Sequence, residues 1–328
     1  MYKNSQEEII IIMNNIIASI KSKLDNPIKY RVVFDVDDVL CCSPMSLDFD
    51  LKHNKESFFK KKVEQYPGSV TIYWTHKDST YVHFFYPNLD RLLLSILSWD
   101  NWSVDFFSSG VKERNEEVIP NLLKQILSKY SNDFNNVYKT IIDSGRLRIF
   151  SRDHMVKGNS EIFGYETFGQ HKKDLTIVSD DIANTILIDD DRTYVVGSQY
   201  PFICTSYSAS SEFKNHLCYE ETELSRTLFD PSRNAEYILG ILLSCKEKLD
   251  NKEALSLRES LDISLRHNGK TLESPERRES TPWFLHPTTE LDRYWNNGSP
   301  ENTAFFRLMK KWIEEGEKYW LNNFISIP

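Results

Sequence analysis

Residues 30–40 read Tyr-Arg-Val-Val-Phe-Asp-Val-Asp-Asp-Val-Leu, an apolar run that passes straight into the carboxylates Asp35, Asp37 and Asp38. A short, mainly aliphatic and aromatic run ending abruptly in acids predicts a buried strand, and buried strands of this kind belong to parallel sheets covered on both faces. The acids that end it then lie at the carboxyl edge of the sheet, where open α/β sheets hold their ligands. Two carboxylates at i and i+2 in that place repel each other and are costly to bury. They persist when a hard dication such as Mg2+ compensates them, and a carboxylate beside such an ion can attack phosphorus as a nucleophile. Taken alone, a D-x-D pair fits a solvated acidic loop equally well.

The flanking sequence builds the rest of that sheet. Ser5 and Glu8 form a capping box ahead of Ile9, Ile12, Met13, Ile16, Ile17, Ile20 and Leu24, which predicts an amphipathic helix over residues 5–24 whose apolar face packs on the core. Residues 41–70 are irregular and charged. Thr71–Trp74 and Thr80–Tyr86 then predict a hairpin, ended by Pro87. Asn88 is placed to cap a helix carrying Leu89, Leu92, Leu93, Ile96 and Leu97. Strand and helix alternate from there: a strand at Ser103–Phe107, a helix from Lys112 to Tyr130 kinked or broken at Pro120, and strands at Leu147–Phe150, Ala183–Ile188 and Pro201–Cys204. Beyond about residue 232 only helical stretches are expected, at Ala235–Leu249, Lys252–Arg266 and Asn302–Phe324, with an irregular segment over 268–300. The organisation is thus an α/β domain over 1–232 followed by a helical module over 233–328.

Further groups suited to phosphoryl chemistry follow later strands. Ser108 supplies a hydroxyl, while Ser109 and Gly110 offer backbone N–H groups beside a helix start, a cradle for phosphate. Lys173 provides a cation, and Asp189, Asp190 and Asp191 provide more metal-ligand oxygens. Each is weak alone; at successive strand ends they point together to one site.

With these four elements in order, the sequence resembles the haloacid dehalogenase superfamily. Within it the chain is similar to the carboxy-terminal-domain phosphatases, through Phe107-Ser108-Ser109, Arg152 after a strand, Lys173-Asp174-Leu175, Ile188-Asp189-Asp190 and a hairpin at 71–86. The resemblance covers residues 28–215. It implies a parallel sheet with helices on both faces and a small hairpin insertion, with Asp35 as nucleophile forming an aspartyl-phosphate and Asp37 as general acid and then base. It also implies Mg2+ held by Asp35, the Asp37 carbonyl and Asp190, phosphate held by Ser108, Ser109 and Lys173, and supporting roles for Asp189 and Arg152. Val39 stands where threonine is commoner, and three consecutive acids leave the Asp189, Asp190 and Asp191 assignment open by one residue. The chain also resembles translocated effector phosphatases of the Legionella type. That implies a phosphorylated protein substrate, phosphotyrosine as its class and delivery into a host cell; a phosphoserine, phosphothreonine or small-metabolite phosphatase, or a membrane-recruited binding protein with a vestigial phosphatase site, are the alternatives. The aromatics Tyr73, Trp74, Tyr81, Phe84, Phe85 and Tyr86 are available to pack on a substrate ring, although core is the ordinary role for any one of them.

Composition limits the alternatives. With 48 acidic and 40 basic residues among 328, the net charge of -8 argues against a nucleic-acid surface. Five cysteines, including adjacent Cys41 and Cys42, show no C-x-x-C pair and read as buried thiols rather than a disulfide framework. The longest early apolar run, Ile9–Met13, is too short to span a bilayer, so a soluble chain without leader or membrane span is expected. Four of the seven tryptophans, Trp283, Trp295, Trp312 and Trp320, fall near the end among Arg277, Arg278, Arg293, Arg307, Lys310 and Lys311. They fit either a helical core or, with the effector resemblance, a phosphoinositide membrane surface.

Overall fold

The computed structural model describes residues 15–41, 45–46, 64, 66, 68–157, 171–189, 195–196, 201–203, 233–264, 266–267, 270–271 and 300–325. The fold is α/β. Strand β1 (Tyr30–Phe34) is central in a five-stranded sheet, between β5 (Trp102–Phe107) and β9 (Thr185–Asp189), with β6 (Leu147–Phe150) and β10 (Pro201–Ile203) at the edges. All four pairings are parallel.

Strand alternation sorts the side chains between two cores. Val32, Phe34, Val104, Phe106, Ile186 and Ile188 face one core, shared with the helical residues Ile16, Ile17 and Ile20 and with five longer helices. These are α1 (Leu89–Ser98), α2 (Lys112–Ser128), α3 (Phe134–Asp143), α4 (Asn234–Asp250) and α5 (Leu257–Ser264). Val33, Leu187, Phe107 and Phe150 face a second, smaller core with Met155, Leu175, Val178 and Val195, which is closed by short 3-10 turns. On that face the fully buried carboxylate of Asp105 is held by Arg31 at 3.2 Å and by Arg148 at 3.0 and 2.8 Å, so the polar position in β5 is paid for by two arginines.

Several expectations need correction. Helix α2 runs through Pro120 without a break; the carbonyl deprived of its partner belongs to Glu116, which is exposed, so water can satisfy it. Asn88 precedes α1 in a left-handed conformation (φ 63°) and makes no side-chain capping bond. Helix α5 starts at Leu257, not at Lys252, because Lys252 is itself left-handed (φ 60°) and the Ser256 hydroxyl accepts from the Glu259 N–H at 3.2 Å. Where no strand was expected, β11 (Arg266–His267) and β12 (Lys270–Thr271) pair antiparallel. The start of the first helix, with Ser5 and Glu8, lies outside the described residues.

The hairpin is present as β3 (Val70–His76) and β4 (Ser79–Phe85), joined through left-handed Lys77, with β2 (Met45–Ser46) against β4. Its aromatics are mostly core: Trp74, Phe84, Phe85 and Tyr86 are buried, whereas Tyr73 is 58% exposed. A bridge between Cys41 and Phe85 fastens the hairpin to the loop that follows β1.

Helix α6 (Pro300–Trp320) packs along α4. The approach is close: a Cβ on Gly240 would fall 1.9 Å from the Trp312 carbonyl oxygen, and one on Gly316 would fall 2.1 Å from that of Glu236. Trp312 and Trp320 are buried in the same core as the sheet, the Trp99 indole donates to the Tyr319 hydroxyl at 2.7 Å, and Asn234 Nδ2 donates to the Val39 carbonyl at 2.9 Å. Residues on both sides of position 232 therefore close one core. Trp283 and Trp295 lie outside the described residues. No described helix is long and apolar enough to cross a membrane.

Candidate active site

The carboxyl ends of β1, β5 and β9 meet, as the parallel register requires. The Asp35 N–H donates to the Ile188 carbonyl at 2.8 Å, which places Asp35 beside the end of β9. After it the chain turns tightly. The Leu40 and Cys41 N–H groups both reach the Val36 carbonyl, at 3.0 and 3.1 Å, and Asp38 adopts φ 62° while its N–H donates to the Cys41 carbonyl at 2.8 Å. Aspartate tolerates that left-handed geometry better than most residues. The turn brings Asp37 alongside Cys41.

Lys173, only 1% exposed, is delivered to the same place by the short strand pair of β7 (Val156–Lys157) and β8 (His171–Lys172) and by the bond from the Val196 N–H to its own carbonyl. Its ammonium lies 2.9 Å from Asp35 Oδ1 and 2.7 Å from Asp189 Oδ2, and all three groups are buried. Burial opposes the lysine's charge, but the two carboxylates outweigh it and hold its pKa above the ordinary value. Burial, with Asp189 and Asp37 adding to it, pushes Asp35 up to about 7 against the pull of Lys173. Two carboxylates share one ammonium, so the trio is one positive charge short.

The second half of the site is organised by Arg114, in the first turn of α2. Its Nη1 donates to both carboxylate oxygens of Asp37, at 2.9 and 2.8 Å, and its Nη2 donates to Ser108 Oγ at 2.5 Å. Ser108 Oγ also accepts from the Gly110 N–H at 3.1 Å and donates to Asp37 Oδ2 at 3.3 Å. Asn115 fixes the guanidinium by accepting from Nε and Nη2 at 2.9 and 2.8 Å, and anchors itself to Ser151 Oγ at 3.0 Å. A Cβ at Gly110 would fall 2.0 Å from Arg114 Nη2, so a side chain there would push the guanidinium out of this position. Against the same region lies His83 of β4, fully buried, with neither ring nitrogen hydrogen-bonded. Burial, with Arg114 nearby, pushes its pKa down to about 4.

The structure thus brings together Asp35, Lys173 and Asp189, and beside them Asp37 with Ser108. Ser109 and Arg152 are linked to each other, through the Ser109 carbonyl and Arg152 Nε at 2.7 Å, and the arginine is exposed. Asp190 and Asp191 lie outside the described residues. Sequence reasoning passed over Arg114, Asn115 and His83, and for Cys41 it set a redox or metal role aside in favour of a buried thiol. One signal was available for Arg114: a cation in the first turn of a helix opposes the helix dipole, and so asks for an acidic partner from elsewhere.

The donors fit Mg2+. The buried Asp35 carboxylate is a hard oxygen donor in a trio with Lys173 and Asp189 that carries excess negative charge, which a dication offsets.

No protein-family model and no curated protein sequence matches the chain. Among solved structures, it is similar to the fission yeast RNA polymerase II CTD phosphatase Fcp1, as a variant bound to beryllium fluoride. The identity is 10% and the TM-score 0.43, over 85% of this chain and 86% of that chain. A second structure of Fcp1, described as an essential RNA polymerase II CTD phosphatase, is similar at 11% identity and a TM-score of 0.43, again over 85% of this chain and 86% of that chain. Likenesses at this level carry no weight for function, and the reading of the site rests on its own geometry.

Proposed function

We propose that the chain is a phosphomonoester hydrolase acting through a covalent aspartyl-phosphate on Asp35. The observation that carries this reading is the buried carboxylate of Asp35, 2.9 Å from Lys173 and two residues before an Asp37 that Arg114 holds beside Ser108. Bound Mg2+, held by the Asp35 carboxylate, the Asp37 carbonyl and Asp190, would neutralise charge on the transferring phosphoryl group.

In the first step an Asp35 oxygen forms a bond to phosphorus and the bond to the leaving oxygen breaks. Asp37 gives that oxygen its proton. Water then attacks phosphorus, Asp37 takes the water's proton, and the phosphorus–Asp35 bond breaks to release inorganic phosphate. Lys173 stays charged throughout and offsets the negative charge gathered at Asp35. In this reading Ser108 Oγ, which in the free site accepts from the Gly110 N–H and donates to Asp37, turns its hydroxyl to a phosphoryl oxygen. Arg114 occupies both oxygens of Asp37, so one must be released as the leaving oxygen arrives; the bonds to Ser108 and Asn115 keep the guanidinium in place meanwhile.

For the substrate, we take a phosphorylated protein side chain with phosphotyrosine as the class. Supporting this is the 20% exposure of the Asp37 side chain, which leaves the acid reachable from solvent by a side chain on a protein. The test is phosphate release by purified protein, with Mg2+ and with EDTA, from matched phosphotyrosine, phosphoserine and phosphothreonine peptides and several sugar phosphates. Metal-dependent release favouring phosphotyrosine is expected. Release from a sugar phosphate alone overturns the substrate, and no release from folded protein overturns the enzyme.

A further inference from the structure

Beside the proposed Mg2+ site lies a second set of donors of softer chemistry. Asp37, Cys41 and His83 each present one ligand atom, and these atoms lie within 4.8 Å of one another. Backbone pairing explains why they meet. The tight turn after β1 bridges Cys41 to Asp37 on one side and to Phe85 on the other, and His83, two residues before Phe85 on β4, faces the same side of that strand. Cys41 Sγ is 4.0 Å from Asp37 Oδ1.

His83 is the decisive member. It is fully buried, and neither ring nitrogen has a hydrogen bond. An imidazole buried this way forfeits the bonds it makes in water, a loss that a metal ion can restore. We propose that Asp37, Cys41 and His83 form a binding site for Zn2+ that is distinct from the Mg2+ site and takes Asp37 out of use when filled.

The donor set suits this ion and not Mg2+. A sulfur, an imidazole nitrogen and one carboxylate are a zinc set, with a fourth position left for solvent at the exposed edge of Asp37. Zinc distances put ligand atoms about 3.4–3.6 Å apart around a tetrahedral ion, so side-chain rotation has to close the observed spacing by about one ångström. Charge balances as well. The Cys41 thiol loses its proton to solvent as the sulfur–zinc bond forms, and thiolate plus Asp37 carboxylate cancel the dication. Arg114 gives up Asp37 but keeps Ser108 and Asn115. Binding does not depend on the phosphatase reading; inhibition of turnover does.

The test uses the full chain, stripped with EDTA, exchanged into excess Mg2+ and titrated with Co2+ as the spectroscopic probe. The expected result is a thiolate-to-cobalt charge-transfer band in the near ultraviolet with tetrahedral d–d bands, saturating at about one equivalent and bleached by Zn2+. Cys41→Ser is expected to abolish the charge-transfer band, and His83→Gln to weaken Co2+ binding roughly tenfold or more. Circular dichroism confirms that each variant is folded; should Cys41→Ser not fold, His83→Gln carries the test. Absence of the band in folded wild type overturns the proposal, as does a band and affinity unchanged in His83→Gln. Turnover with no cobalt band sinks the zinc site and leaves the phosphatase reading standing. A cobalt band with no turnover on any phosphomonoester does the reverse.

Discussion

Replacing Asp35 by asparagine is expected to destroy turnover and, in the absence of metal, to make the protein more stable. Asp35 is 6% exposed and its pKa is raised from 3.8 to about 7, chiefly by burial. A carboxyl whose folded pKa lies above its unfolded one contributes its full stability below the unfolded value, and loses it as pH rises through the folded value. For Asp35 that window runs from about pH 4 to pH 7, so by pH 8 the protein bears the whole cost of keeping the group ionised. The change between pH 6 and pH 8 is on the order of 1 kcal/mol. Asparagine does not titrate, so the stability difference between variant and wild type should widen in the variant's favour by that amount over this range, while the contributions of His83 and Glu236 cancel between the two. Urea unfolding in EDTA at pH 6 and pH 8, followed by far-ultraviolet circular dichroism, measures it. Added Mg2+ should narrow the gap at pH 8 by stabilising wild type alone. A gap equal at both pH values refutes the assignment of Asp35 as the buried carboxylate short of a cation.

Three further outcomes are expected. Arg114→Ala, which frees both oxygens of Asp37, should lower kcat about 100-fold with a smaller effect on KM in peptide assays; an unchanged kcat would remove Arg114 from the support of the acid. Lys173→Met leaves Asp35 and Asp189 facing each other without their ammonium, and should cost about 3–5 kcal/mol in urea unfolding at pH 8, less than 1 kcal/mol contradicting the geometry. Gly240→Ala puts a methyl 1.9 Å from the Trp312 carbonyl oxygen and should separate α4 from α6 at a cost of about 3 kcal/mol or more, visible as a lower Tm and altered tryptophan fluorescence.

What was legible in the sequence depended on whether the signal was local. The β1 run, the hairpin, the strand at Leu147–Phe150 and the helix at Ala235–Leu249 rest on periodicity within a dozen residues, and they stand where that periodicity puts them. The carboxylates after β1 and the serine after β5 were legible for the same reason, because a strand end fixes where its next residue goes. The miss at Pro120 has a different origin: whether proline breaks a helix turns on whether the carbonyl four residues earlier can reach water, and exposure is a tertiary property. Likewise Trp312 and Trp320 are equally good membrane anchors or core residues by composition, and only the packing of α6 on α4 and the sheet core decides that they are buried.

Arg114 and His83 show where local reading stops. Each is one polar residue in an otherwise ordinary element, and each acquires its meaning from a partner far away in sequence: Arg114 from Asp37, 77 residues back, and His83 from the turn at Cys41. Long-range electrostatics of this kind leaves a trace only as a local misfit. A cation at a helix N-terminus opposes the dipole, and a histidine among Val82, Phe84 and Phe85 breaks an apolar strand. Both misfits fall in elements that bound the same acidic turn. The two residues that violate local rules are therefore the ones that compete for Asp37, Arg114 directly and His83 through a shared metal. If that competition is real, Arg114→Ala should tighten Co2+ binding, because the ion no longer has to displace a guanidinium from the carboxylate. A folded Arg114→Ala protein that binds Co2+ no better than wild type would mean that the arginine and the metal do not share that group.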